Sequence, residues 1–337
     1  MVKNIKYDKK SWVIPLNFPF DWKLKLKFSL LPERPTPCII KNQKWIRALN
    51  IDGRLAPIIL EARGSIEKPE LIITTSKSFI RKKKEIESFV FEFHGLKDAK
   101  NLYDFMDKDI VLRRIKERMY GFGRAGLMSA TVFEGIIKAI IQQQISLKVA
   151  ESITANLVER YGEKIKFCKE YAYEFPYAET LARLSLNELR SCGLSWKKAE
   201  YVKEFSLEVV NGFYPEDLRN KSPEEIVEIL TTFKGIGRWT SELVMVASIG
   251  MNVIPADDLG VRRVISHLNS ASLREYVQPK FLLQIPHFLW NLGDHVTISQ
   301  IDMIDLAIFE QQVNRSKLTI EFRLLQELLQ FTVNVER

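Results

Sequence analysis

The 337-residue chain has little of what most metal-bound or disulfide-stapled folds need: three cysteines and four histidines. Cys38, Cys168 and Cys192 lie far apart, form no CxxC pair, and leave nothing beyond Cys192 to complete a cluster. That argues against a disulfide framework, a zinc ribbon and an iron–sulfur centre. His94, His267, His287 and His295 make no HExxH pattern or close ligand set and read as isolated side chains, so no metal site is expected. No apolar run approaches the roughly 20 residues of a membrane span. The opening residues, Met1-Val-Lys-Asn-Ile-Lys6, lack the apolar stretch and small-residue cleavage site of a signal peptide. The expectation is an intracellular, soluble monomer with no membrane partner. Solenoid repeats and low-complexity segments are absent as well.

What is present is apolar and basic. Hydrophobic residues make up 46% of the chain, enough for a real core, and the length allows two domains. The net charge of +8 favours a polyanionic partner. Charge alone does not decide the matter, because lysine-rich compositions have other origins.

The first hundred residues read as β-rich. Trp22 to Phe28 alternates strictly, which predicts a strand with Leu24, Leu26 and Phe28 on one face and Lys23, Lys25 and Lys27 on the other. Trp45 to Ile51 meets the turn signal Asp52-Gly53 before Leu55 to Leu60, and Leu71 to Thr75 is a further β-branched run. The basic stretch Arg81 to Lys84 opens a more helical segment. From about residue 105 the pattern is helical: Phe133, Ile136, Ile137, Ile140 and Ile141 share a face, and Val149, Ile153 and Leu157 mark the next helix. Ser185 with Glu188, and Ser222 with Glu225, are capping boxes. The fold class is therefore α+β, a β-rich domain over residues 1–104 leading into a mostly helical domain over 105–337.

Two features carry chemistry. Phe233-Lys-Gly-Ile-Gly-Arg-Trp-Thr240 sits between two apolar helices, a helix–hairpin–helix spanning about 226–248. Gly235 and Gly237 allow a sharp turn and close backbone approach, and the helix that follows starts with free N–H groups able to hold a phosphate oxygen. Lys234 and Arg238 add positive charge. An ordinary helix–helix turn is the plainer reading, but the basic neighbours and the flanking helices favour phosphate. Further on, Pro255 precedes Asp257 and Asp258 at the start of a helix that carries Val261, Val264, Ile265 and Leu268. Either aspartate could be a plain N-cap. Held beside a phosphate grip, it could instead oppose the positive charge that builds on a sugar as its base departs.

Together the hairpin and the aspartate resemble the helix-hairpin-helix DNA glycosylase superfamily, most of all its 3-methyladenine DNA glycosylase II branch. Four segments carry the resemblance: Phe18-Pro-Phe-Asp-Trp22, Ile140-Ile-Gln-Gln-Gln-Ile-Ser146, Gly193-Leu-Ser-Trp-Lys-Lys-Ala199 and Gly235-Ile-Gly-Arg-Trp-Thr240. It covers roughly residues 17 to 268. It implies a TATA-binding-protein-like β domain packed on a helical core, a base-excision repair enzyme, and duplex DNA containing a damaged base as partner. It puts Asp258 at the catalytic position, with Asp257 second. Phe28, Trp239 and Leu243 fall at base-pocket positions, although Phe28 and Trp239 could equally be core residues. Lys234, Gly235, Gly237, Arg238 and Thr240 fall in the DNA grip. Gln144, or Gln143, and Trp196 are candidates to fill the gap left by an extruded nucleotide. No cofactor is implied beyond a monovalent ion bridging hairpin carbonyls and phosphate. Trp239 stands where lyase-type relatives carry a Schiff-base lysine, which implies a monofunctional enzyme. Leu243 replaces a pocket aromatic, and the family's late Trp-x-Pro helix is not recognisable; Phe288 to His295 and a helix from about Ser299 to Glu310 stand there instead. Three functions remain: hydrolytic release of an alkylated or deaminated purine, an 8-oxoguanine-type glycosylase, or a non-catalytic DNA-binding protein.

Overall fold

A computed structural model describes residues 8–27, 29–108, 110–122, 127–251, 253 and 255. Phe28, Asp257, Asp258 and the C-terminal stretch with Phe288 to His295 lie outside the described residues. The chain divides into two compact units, residues 1–98 with 120–251, and residues 99–119 with 252–337.

The first unit is built on a five-stranded antiparallel sheet. Its strands are β1 (Lys9–Pro15), β2 (Ile39–Lys41), β3 (Lys44–Ile51), β4 (Arg54–Ser65) and β5 (Lys68–Ser76), in the order β1-β5-β4-β3-β2. Asp52 and Gly53, both at positive φ, close β3 onto β4 with Ile51 opposite Arg54. This two-residue turn matches the right-handed twist of the strands it joins. Strict alternation then sorts the side chains. Trp45 and Leu49 of β3, Ile58 and Leu60 of β4, and Leu71 and Ile73 of β5 share a core with Ile86, Val90 and Phe93 of helix α2 (Lys83–His94). Ile46, Ala48 and Ile59 point the other way and are covered by Phe167 and Ala172. Those two belong to a hairpin of β6 (Lys164–Phe167) and β7 (Glu170–Tyr173).

The segment read as a strand at Trp22 to Phe28 is helical: α1 spans Trp22–Lys27. Asp21 starts it, its carboxylate accepting from Leu24 N at 2.9 Å and its carbonyl from Lys25 N at 3.0 Å. Over six residues the two periods are hard to separate, since Trp22 and Leu26 share a side under either. The local cap decided it, together with burial of the Trp22 ring, whose Nε1 donates to Gln43 O at 2.8 Å. Among the described residues of the second unit are α3 (Lys100–Met106) and α4 (Ile110–Met119).

The helical part of the first unit runs α5 (Val132–Gln142), α6 (Leu147–Tyr161), α7 (Ala178–Arg183), α8 (Leu186–Ser191), α9 (Trp196–Val210), α10 (Pro223–Leu230) and α11 (Arg238–Val244). Thr131, Ser146, Ser185, Ser195 and Ser222 each cap a helix by accepting an N3 amide. The boxes at Ser185/Glu188 and Ser222/Glu225 are reciprocal, as their spacing predicts. Ile136, Ile137, Ile140 and Ile141 of α5 are fully buried.

Sheet and helices are pinned together by a buried ion cluster. Arg47 of β3 reaches Glu134 of α5 at 2.5 Å and Glu174, just past β7, at 3.2 Å, with all three side chains almost wholly out of solvent. Glu134 also accepts from Ala130 N, and Glu174 from the backbone amides of Asn50 and Phe175. Burial pushes the Arg47 pKa down, but Glu134 and Glu174 more than offset it, and the net shift is upward.

Candidate nucleic-acid interface

The site starts from a helix that stops early. α10 carries Ile226 and Leu230 inward and ends at Leu230. Phe233 follows in the turn, its ring against Phe205 and Phe213 at 5.1 and 4.8 Å between centroids. Gly235 then takes φ +80, and a Cβ built on it would lie 2.1 Å from the ring of Tyr201 on α9. Only glycine fits there, for backbone and packing reasons together.

Gly237 is a different case. Its backbone is extended (φ −106, ψ −179), a conformation open to any residue, and a Cβ there would meet nothing within 4 Å. It is the exposed N-cap of α11 and, being glycine, gives no side-chain cap. What lacks a side chain here is open surface beside a helix start, room for a ligand's oxygen to approach the backbone. α11 continues as a π-helical turn, Met245–Ile249.

The basic residues of the turn are not idle. Lys234 Nζ lies 3.0 Å from Glu204 and 3.8 Å from Glu200, both on α9, and these carboxylates raise its pKa. Arg238 is exposed and donates from Nε to Glu242 at 2.8 Å. Thr240 is buried, its hydroxyl turned inward. Leu243 is buried too, while Trp239 is half-buried.

The glutamine segment is joined to this hairpin. Gln143 donates from Nε2 to Gly235 O at 2.8 Å and to the Thr240 hydroxyl at 3.0 Å. Its side chain is therefore committed inside the protein, and so is that of Thr240. Gln144, next along, is exposed and takes φ +57. Of the two glutamines considered for gap filling, the structure presents Gln144. Trp196 is 48% exposed at the first position of α9, with the Arg190 guanidinium 4.1 Å above its ring. It is not the buried staple that a turn tryptophan can form.

Sequence reasoning missed Lys198, whose Nζ donates to Ile141 O at 2.7 Å and Gln143 O at 2.6 Å. A cation at the carbonyl end of α5 is favoured by the helix dipole. The signal was the second lysine of Trp196-Lys-Lys198, 55 residues along the chain from the helix end it serves. Among the described residues, no group of three His, Cys, Asp or Glu side chains could hold a metal, and no helix is long and apolar enough to cross a membrane.

The model described as HhH-GPD superfamily base excision DNA repair protein matches residues 137–282. A second, the AfAlkA-like, TATA-box binding protein-like domain, matches residues 11–96. The solved 3-methyladenine DNA-glycosylase from Archaeoglobus fulgidus is 40% identical, with 84% of this chain and 98% of that one covered at a TM-score of 0.76. The chain belongs to the HhH-GPD superfamily.

Its HhH-GPD segment takes in the glutamine loop, α9, the hairpin, and both Asp257 and Asp258. The second match takes in the sheet from Ser11 onward, with α1 and α2. The DNA-3-methyladenine glycosylase of Bacillus subtilis (strain 168) is 25% identical over 213 residues, 62% of this chain and 70% of that protein. The 8-oxoguanine glycosylase/lyase of Clostridium acetobutylicum, at 17% identity and a TM-score of 0.56 over 86% of this chain and 96% of that one, shares the fold alone.

Proposed function

We propose that this chain is a monofunctional DNA glycosylase that hydrolyses the N-glycosidic bond of an alkylated purine turned out of duplex DNA. The observation that carries the reading is the hairpin: glycine-bordered backbone open at Gly237, with exposed Gln144 held beside it, in a chain 40% identical to a 3-methyladenine DNA-glycosylase. In this reading the amides at Gly237 and the start of α11 hold a backbone phosphate, with Lys234 and Arg238 close by and a monovalent ion as an optional bridge. Of the hairpin carbonyls, that of Gly235 already accepts from Gln143. Gln144 occupies the space left by the extruded nucleotide. Asp258 opposes the positive charge on the sugar as the C1′–N bond breaks. Water then adds to C1′ and gives up a proton. An alkylated purine leaves as a neutral base because it starts as a cation, so the pocket has less to supply than it would for a neutral lesion.

Trp239 supports hydrolysis without strand cleavage, since an indole cannot form a Schiff base. The test is base release from duplexes carrying an alkylated purine, hypoxanthine or 8-oxoguanine, with and without alkali and borohydride. Expected are release of the alkylated base, strand breakage only after alkali, no trapped adduct, and a loss of about a hundredfold or more in Asp258→Asn. Preference for 8-oxoguanine, or an adduct lost on replacing one lysine, would overturn the assignment.

A further inference from the structure

The geometry points to Gln143 and Lys198 as positioning residues that fix Gln144 relative to the hairpin backbone, so that probing the stack and gripping the phosphate are one rigid act. This rests on the functional reading above. α5 ends at Gln142, and the chain must then turn sharply to project Gln144 at φ +57. Such a turn on an exposed loop would ordinarily sample several conformations. Here four hydrogen bonds remove that freedom. Lys198 holds the carbonyls of Ile141 and Gln143, one before and one within the turn. The Gln143 amide then reaches across to Gly235 O and the Thr240 hydroxyl, one on each side of Gly237.

α9 serves as the common strut. Lys198, Tyr201 and Glu204 recur every three residues along one of its stripes. The first touches the glutamine loop, the second packs on Gly235 and the third holds Lys234. Loop and hairpin are thus registered against the same helix as well as against each other. Lys198 is half-buried and its pKa is lowered by desolvation, so the contact is made away from bulk water, where hydrogen bonds are less readily exchanged.

The consequence is a split between two measurable properties. Phosphate contacts set affinity, whereas insertion of Gln144 depends on where the loop stands; a misplacement of about 1 Å can lower a rate about a hundredfold. Gln143→Leu keeps the size of the side chain and removes both donated bonds. The experiment binds the full chain to a duplex holding a tetrahydrofuran abasic analogue opposite 2-aminopurine, whose fluorescence reports what enters the stack. Single-turnover base release from a paired alkylated purine is measured beside it. Expected for Gln143→Leu and Lys198→Met are affinities within about threefold of the parent, loss of most of the fluorescence change, and base release slower by tenfold to a hundredfold. Lys198→Arg, which keeps the donors, restores both. Gln144→Ala, at an exposed position that cannot threaten folding, reproduces the defect. Combined with Gln143→Leu it is no slower than by itself, because Gln143 acts through Gln144.

Additive losses in that double variant, or affinity falling in step with the rate, would overturn the proposal. If Gln143→Leu does not fold, the Lys198→Met and Lys198→Arg pair decides by the same readouts. A parent protein that changes the fluorescence but releases no base sinks the functional reading and leaves the positioning role standing. One that releases base without any fluorescence change does the reverse.

Discussion

Two regions of the first unit set an Arg or Lys against glutamates, and they do so to opposite ends. Under the sheet, Arg47 meets Glu134 and Glu174 with no solvent access, and every partner is fixed by further backbone bonds. At the hairpin, Lys234 and Arg238 meet Glu204 and Glu242 with their own side chains 58% and 66% exposed. In the interior an ion that loses its partner has nowhere to go, so the cluster dictates how sheet and helices fit. Glu204 is itself 47% exposed, so Lys234 can exchange it for another anion at little expense, whereas Glu242 under Arg238 is only 9% exposed and is the more tightly kept partner. The same pairing is architecture in one place and an exposed contact in the other.

The comparison breaks most visibly at Arg47. Arg47→Leu strands two buried carboxylates and is expected to destabilise the protein by about 3–5 kcal/mol, measured by denaturant unfolding at pH 7. Replacing all three members with apolar residues should recover much of that. If Arg47→Leu unfolds within about 1 kcal/mol of the parent, the cluster does not pin the sheet to the helices.

A second interior group gives a pH signature. His94 is buried among Trp22, Trp45 and Phe93, and burial, assisted by Lys25, takes its pKa down to about 3. The unfolded chain binds a proton near pH 6.5 that the folded chain refuses, so the group favours the folded state above that pH. Stability should fall as pH drops from about 6.5 toward 3, by on the order of 4 kcal/mol over the full span. Unfolding midpoints at several pH values, compared with His94→Leu, check this: the variant should lose that part of the slope. An unchanged slope would mean that other groups carry it.

Smallest in stability, and sharpest as a contrast, are the two hairpin glycines. Gly237→Ala adds a methyl to open space and should leave stability within about 0.5 kcal/mol, while lowering affinity for damaged and undamaged duplex alike by about tenfold. Gly235→Ala forces a Cβ onto Tyr201 and should cost more than about 1 kcal/mol of stability. Binding of Gly237→Ala at parental affinity would remove the hairpin as the anchor.

Much of this was legible beforehand because it is local. The turn Asp52-Gly53, the boxes at Ser185 and Ser222, and the glycine pair of the hairpin are each specified within a few residues. What escaped was short or long-range. α1 is too brief for its period to speak, and the signal was the cap at Asp21 rather than the alternation after it. The β6–β7 hairpin turns through Cys168 and Lys169, both at positive φ, with no Gly, Asn or Asp to announce it. Gln143 and Lys198 are joined across 55 residues, and Arg47 to Glu174 across 127, by contacts that no sequence window contains. Gln143 was visible as a candidate, yet which of two adjacent glutamines faces outward is a matter of one backbone rotation. Asp258 and Phe28 rest on the resemblance.

The pairing of Lys234 has a consequence for how binding responds to salt. A solvated lysine that neutralises a phosphate releases a condensed counterion and contributes about 0.9 to the slope of log affinity against log salt. In the proposed binding mode Lys234 would leave Glu204 and Glu200 to do so, and those carboxylates would then gather cations from the solution. Part of the ion release on the DNA would be cancelled by uptake on the protein. The slope should fall short of a count of basic residues at the hairpin, and Glu204→Gln should steepen it.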